Sequence, residues 1–298
     1  MYMPSPGLPE FDYVKPASLA EASRLLVEHG AKARPFMGGT DIFVRMRDGF
    51  VRPVLLVDVK HLPGMRGIIY NEEAGLTIGA ATTLNEIAGH PVVQAHYPLL
   101  AEAANTVASY QIRNRATLGG NLCNASPAAD TAPAALLLEA SMVLYGPGGE
   151  REVPGDAFFL GPGATAIEAD ELMTAIRFPI PPRGAAGRYL KLGRNKAGDL
   201  AIAGVAVLGV PNATSSGPRF RIGLSSVAPV PLRAREAEEV LAASPPGEET
   251  FARAADKAME AATPIDDVRA SAEYREAMVR SLTLRALREV WAQMEEDK

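Results

Sequence analysis

Cysteine is almost missing from this sequence: Cys123 is the one thiol in 298 residues. A lone cysteine excludes an intramolecular disulfide, and it cannot build a cysteine-ligated zinc or iron–sulfur centre. Histidine is scarce too, and His29, His61, His90 and His96 show no ligand spacing such as His-x-x-x-His, so no metal site is expected. Redox chemistry in this chain would have to use a bound organic cofactor. No basic run occurs, and the formal charge is −5 with signs intermixed, which argues against nucleic acid or an anionic membrane as partner. Long hydrophobic runs are absent as well. The most apolar stretch, Ala132–Leu138, falls far short of the roughly 20 residues that span a bilayer. The opening MYMPSPGLPEFDYVKP has neither a basic nor an apolar leader region, so the expected compartment is the cytoplasm. Neither Gly-Lys-Ser/Thr nor Gly-x-Ser-x-Gly occurs, which leaves nucleoside triphosphatase and serine hydrolase chemistry unsupported.

What is present is 47% hydrophobic residues, enough for a sizeable core, over a length that suits two domains at roughly 150 residues each. After Pro16, Leu19, Ala22, Leu25 and Leu26 recur at helical spacing between an N-cap, Ser18, and a terminator, Gly30. Short strands are expected at Ala33–Met37 and Val54–Val59, with a helical turn before Gly49. Gly75 opens a further strand, and a helical stretch from Thr83 to Ala108 breaks at Pro91 and Pro98. A helical run over Asp130–Ala140 leads into a hairpin of Met142–Tyr145 with Arg151–Val153, and Leu172–Phe178 is another strand. Pro179, Pro181 and Pro182 then mark a domain boundary. Three strands follow at Gly187–Gly193, Leu200–Val210 and Arg219–Val227, with a surface turn at Pro211–Pro218. The remainder from Arg233 reads helical, and its stripe of Met278, Leu282, Ala286 and Val290 is core packing.

Two glycine-rich segments carry the chemistry. In Pro35-Phe36-Met37-Gly38-Gly39-Thr40-Asp41-Ile42, directly after a strand, paired glycines let the backbone approach a phosphate and offer N–H donors, with the Thr40 hydroxyl as another. Thr117-Leu118-Gly119-Gly120-Asn121 repeats the pattern behind the polar run Tyr110–Arg115. Either alone reads as a tight turn, whereas two donor nests in one domain can share a pyrophosphate. Asp130 is either the N-cap of its helix or a ligand, and both roles can hold together. Gly161-Pro162-Gly163-Ala164-Thr165-Ala166 fits Gly-x-Gly-x-x-Ala but lacks the strand, helix and later acid of a dinucleotide fold, so it reads as a loop. Cys123 reads as a buried apolar thiol.

The segments FDYVKPASLAEA, PFMGGTDI, RNRATLGGNLCNASPAADTAP, FFLGPG, YLKLGRNKAGDLAIAGVAV and DDVRASAEYREAMVRSLTLRAL together resemble the FAD-binding medium subunit of the molybdenum hydroxylases, the carbon monoxide dehydrogenase and xanthine dehydrogenase type. The resemblance implies an α+β fold. Residues 1–178 would form a two-subdomain FAD-binding domain of the vanillyl-alcohol oxidase type, divided near residue 60. Residues 179–298 would form a C-terminal domain with a three-stranded antiparallel sheet and helices. It places FAD contacts on Pro35 to Ile42, Val107, Thr117 to Asn121, Asp130, Ile167 and Lys191. Asp130 would bind a hydroxyl of the adenosine or ribityl part, Ile167 would pack near the rings, and Lys191 would set a cation near the flavin. From the residues alone, Ile167 reads as a core contact and Lys191 as a solvated strand lysine. The implied partners are a large subunit with a molybdopterin cofactor, a small subunit with two 2Fe-2S clusters, and an external electron acceptor. No residue of this chain would act as a catalyst on the organic substrate. A stand-alone flavin oxidase or reductase of the same fold is the rival reading, and a non-catalytic nucleotide sensor is a third. The cysteine-ligated cluster of the benzoyl-CoA reductase branch cannot be built here.

Overall fold

The computed structural model describes residues 7–195, 198–214 and 217–296. The first six residues of the opening segment, Lys196 and Ala197 of the YLKLGRNKAGD segment, and the tip of the expected Pro211–Pro218 turn at Ser215 and Ser216 lie outside the described residues. Near the N-terminus a three-stranded parallel sheet sets Leu55–Asp58 between Asp12–Val14 and Ala33–Phe36. The helix joining its two outer strands, Leu19–His29, is capped by the Ser18 side chain and closed at Gly30, as its spacing predicts. Asp12–Val14 has no counterpart in the sequence reading, because three residues are too few to show a period.

A five-stranded antiparallel sheet follows, in the order Ile68–Asn71, Gly75–Gly79, Leu172–Phe178, Ser141–Gly146, Gly149–Pro154. The expected hairpin is present, while Ile68–Asn71 is a further strand that the sequence reading lacks. Between these strands lie the helices Leu84–Gly89, Pro91–His96 and Pro98–Thr106, broken at the two prolines as expected. A proline at the first helical position removes only a donor that has no intrahelical partner, so each proline starts a helix while ending its predecessor.

One expectation is overturned here. Thr117–Asn121 is not a loop: Leu118–Cys123 is a short helix, with the Thr117 hydroxyl accepting from Gly120 N at 3.0 Å as its N-cap. Glycine pairs disfavour helix by about 1 kcal/mol each, and packing overrides that preference. A Cβ on Gly119 would lie 2.7 Å from the Ala80 carbonyl oxygen, so only glycine lets this helix sit on the sheet.

The C-terminal sheet has four strands rather than three. Ala186–Leu192, Ala203–Thr214 and Gly217–Ser225 form the antiparallel body, so Pro211–Thr214 and Gly217–Pro218, expected as a surface turn, are strand instead; the two-residue strand Leu232–Arg233 adds an edge too short to read from sequence. Ala203, Val205 and Val207 face a core shared with the helices Arg235–Ala243, Glu248–Glu260 and Ala272–Glu296. Ala206 and Leu208 face the larger core of the first 178 residues. A strand buried on both faces reads as a continuous apolar run, which is how IAGVAVLGV looks. In the last helix Ala286, Leu287 and Val290 are buried and Met278, Leu282 and Trp291 pack beside them, so the stripe is core.

Candidate functional site

The two glycine segments meet. A Cβ on Gly38 would stand 2.2 Å from the Arg115 carbonyl oxygen and 3.2 Å from the Ala116 Cα, just ahead of Thr117. Gly39 holds a positive φ of 80° with the Phe36 and Phe43 rings against it. Asn124 ties the pair together: its amide donates to Asp41 Oδ1 and its oxygen accepts from Arg45, both at 3.3 Å.

Their donors differ. Leu118 N is committed to Thr82 O at 3.1 Å, Gly119 N to Ala80 O at 3.0 Å, Gly120 N to the Thr117 hydroxyl, and Asn121 N to Thr117 O at 2.9 Å. The second segment is therefore no open donor nest, which corrects the symmetrical reading of the two. Among the described residues, the N–H groups of Gly38, Gly39, Thr40 and Asp41 meet no hydrogen-bond acceptor, and they lead into the helix Ile42–Arg47. An anion can take up those donors. The Thr40 hydroxyl leans on Asp41 Oδ2 at 3.4 Å, and crowding raises the Asp41 carboxyl above its ordinary value against the pull of Thr40 and Arg45.

The other predicted residues fall into two groups. Pro35 and Met37 are partly buried. Phe36 is packed into a small aromatic core with Tyr13 and Phe43, and Leu118 is fully buried. Asn121 accepts from the Thr131 hydroxyl at 2.6 Å, linking the second segment to the helix Thr131–Leu137. Asp130 does not use its side chain as an N-cap. Its carboxylate accepts from Lys191 Nζ and from the Tyr189 hydroxyl, each at 2.7 Å. Burial raises its carboxyl, opposed by the Lys191 charge and by these two hydrogen bonds. Lys191 is not a solvated strand lysine: 12% of its side chain is exposed, and Nζ also donates to the Thr106 carbonyl at 3.0 Å, beside Val107. Ile167 packs partly buried against the main core. The short ribbon Phe159–Gly161/Ala164–Thr165 just before it is tied by Gly163 N to Ala125 O at 2.9 Å. Gly163 turns that ribbon at a φ of 72°, so the Gly-Pro-Gly stretch is a hairpin turn.

Residues that the sequence reading passed over complete the arrangement. Tyr189 is buried, and its hydroxyl bridges Asp130 and Ser225 Oγ at 3.3 Å. Desolvation beside the Asp130 charge holds that phenol well above its ordinary value. Arg113 is also buried, and desolvation lowers its pKa. An arginine within a polar run gives no sign of burial, and only its neighbour Ile112 breaks the pattern. Two surface hollows of about 460 and 510 Å³ lie along the helices from Leu84 to Thr106, and neither is lined by the glycine segments.

Residues 9–181 match the family described as the FAD binding domain in molybdopterin dehydrogenase, and residues 188–290 match the CO dehydrogenase flavoprotein C-terminal domain. The chain belongs to the molybdopterin-dehydrogenase FAD-subunit family. Within this family the medium chain of carbon monoxide dehydrogenase from Hydrogenophaga pseudoflava is 39% identical over 284 residues, covering 95% of this chain and 98% of that one. A putative xanthine dehydrogenase FAD-binding subunit of Escherichia coli is 33% identical, covering 94% and 96%. The H. pseudoflava carbon monoxide dehydrogenase structure lacking the Mo-pyranopterin moiety superimposes with a TM-score of 0.92 over 96% of this chain and 99% of that one. Quinoline 2-oxidoreductase from Pseudomonas putida 86 gives a TM-score of 0.89 at 28% identity, over 96% and 99%. The FAD-subunit family fits the two-domain α+β architecture, and it makes the chain an oxidoreductase subunit with FAD as cofactor.

Proposed function

We propose that this chain binds one FAD noncovalently and serves as the electron outlet of a heteromeric molybdopterin-dependent hydroxylase, within a first domain of the vanillyl-alcohol oxidase type spanning residues 1–178 and a second spanning 179–298. The observation that carries the reading is the uncommitted row of N–H groups at Gly38 to Asp41, brought against the Arg115–Ala116 backbone by a glycine that tolerates no Cβ. The first segment supplies the pyrophosphate donors. The second, Thr117 to Asn121, supplies close approach. Arg45 adds positive charge beside the donors, close to Asn124. Val107 and Ile167 offer apolar contact, and the Asp130–Lys191 pair offers polar anchors for the ribityl or ring end. Because Asp130 already neutralises Lys191, the lysine acts as a positioned donor more than as a free charge.

FAD suits an outlet because it can take electrons singly from clusters and release them as a pair. The 2Fe-2S clusters would lie on a small partner subunit and the molybdopterin on a large one; the names of the relatives support this as far as a medium chain and a Mo-pyranopterin cofactor. Among the described residues no group of three His, Cys, Asp or Glu could hold a metal, and no helix is long and apolar enough to cross a membrane.

A visible spectrum of the purified, FAD-reconstituted chain tests this. Oxidised-flavin absorbance at one equivalent per chain is the expected result; a chain that folds and takes up no FAD overturns the reading.

A further inference from the structure

Two cations grip the C-terminal end of the helix Pro98–Thr106. Lys191 Nζ donates to the Thr106 carbonyl. Arg113 Nη1 donates to the next two carbonyls, Val107 at 3.0 Å and Ala108 at 3.2 Å. The other arms of the guanidinium reach Asn85 Oδ1 from Nε at 3.0 Å and Asn105 Oδ1 from Nη2 at 3.1 Å. All four acceptors are neutral oxygens, and Arg113 is only 9% exposed. Lys191, in contrast, has Asp130 at 2.7 Å. Among the described residues, the helix end thus carries two cations and one carboxylate.

The carbonyls that Arg113 holds belong to a strained turn. Ala108 has a φ of 44°, a region in which a non-glycine residue persists only when its surroundings fix it. Gly198 N, from the C-terminal domain, donates to the same Ala108 carbonyl at 3.3 Å, so the turn is also where the domains meet.

We propose that Arg113 is a positioning residue of the flavin site, fixing the Val107–Ala108 turn and supplying the uncompensated buried positive charge that makes the bound cofactor easier to reduce. The proposal rests on the FAD reading above, which sets Val107 against the cofactor. Adding electrons to a bound group makes it more negative, and a buried cation with no counter-charge favours that form more than a solvated or paired one does. Part of the charge is spent on the negative end of the helix dipole, and the rest is available to the site.

Asn105→Asp tests the charge without removing the fork. It is nearly isosteric and puts a carboxylate where Arg113 Nη2 already donates. The full chain is reconstituted with FAD, and three quantities are read: FAD affinity, the two-electron midpoint potential of the bound flavin, and the melting temperature of the apoprotein. For Asn105→Asp the potential is expected to fall by about 30 mV, a tenfold loss of preference for the reduced form, with FAD binding and melting temperature retained. Arg113→Gln is expected to lower the potential and weaken FAD binding together. Arg113→Lys keeps the charge and loses the planar fork, so it restores the potential but not the affinity. An unchanged potential in Asn105→Asp, with FAD bound, overturns the proposal and leaves Arg113 as a structural tie whose loss moves only the melting temperature. An unaltered chain that takes up no FAD overturns the flavin reading itself, a result distinct from a bound flavin with an unmoved potential.

Discussion

At Gly38 a single methylene decides whether two segments can touch, because its Cβ would stand 2.2 Å from a backbone oxygen that has no side-chain freedom to yield. Gly38→Val is expected to abolish FAD uptake and to lower stability by roughly 3 kcal/mol, the scale of overpacking in a closed core. Gly49 has a positive φ of 79°, which Gly38 lacks, and open space around it, so Gly49→Ala should cost about 1 kcal/mol of strain and leave FAD binding intact. Chemical denaturation and flavin titration of the two variants distinguish close approach from mere turn geometry. The paired glycines were legible in the sequence because both roles demand glycine. What was not legible is that the second pair spends its N–H groups on the Ala80 carbonyl and the Thr117 hydroxyl. Acceptors from other segments are a tertiary property that no spacing rule encodes.

The helix Leu118–Cys123 depends on its cap, since Gly119 and Gly120 give it little propensity of their own. Thr117→Val removes the hydroxyl that accepts from Gly120 N, and should cost about 1 kcal/mol, whereas Thr117→Ser keeps the cap and most of the stability. Thermal melts of both variants check this. A second element, the turn ahead of the last helix, brings a pH dependence. Asp267 accepts from Arg269 and from the buried Arg275, and these bonds, Arg269 foremost, hold its carboxyl well below the usual range. A carboxyl depressed by folding stabilises fully above its unfolded value of about 3.9, and the contribution fades as pH drops toward the folded value. Acid unfolding followed below pH 4 should therefore be less steep in Asp267→Asn than in the parent chain. The long helices and the body of the two-sided strand, expected over Leu200–Val210 and found over Ala203–Thr214, were readable from periodicity and run length, while Asp12–Val14, Ile68–Asn71 and Leu232–Arg233 were not. Asp12–Val14 and Leu232–Arg233 are too short to carry a pattern that outweighs a loop.

Across the whole molecule the C-terminal sheet is gripped from both sides, by its own helices on one face and by Pro98–Thr106 and Thr131–Leu137 on the other. Gly187 and Gly223 allow that second approach, with Leu99 at 3.0 Å and Pro133 at 3.2 Å from where a Cβ would be. The Asp130–Lys191 pair crosses the same junction. Asp130→Ala strands a largely sequestered ammonium and should cost roughly 3–5 kcal/mol, much of which the double variant Asp130→Leu, Lys191→Met recovers. Denaturant titrations of the two variants measure the difference, and the parent chain should unfold in one transition because the halves share this core. The prolines after Phe178 are what suggest a boundary there, but the cross-junction pairing of an apparent N-cap with an apparent surface lysine was not legible: each residue alone looked satisfied by its own element. The single thiol has a practical corollary. Cys123 lies against Met173, 3.9 Å from sulfur to sulfur, and burial pushes its pKa up to about 12, so little reactive thiolate exists at neutral pH. The native chain thus offers thiol reagents only a partly buried and largely protonated sulfur. A cysteine placed at Val268, which is 97% exposed, would carry a spin or fluorescent reporter at one known address, without first stripping the protein of its own sulfur chemistry.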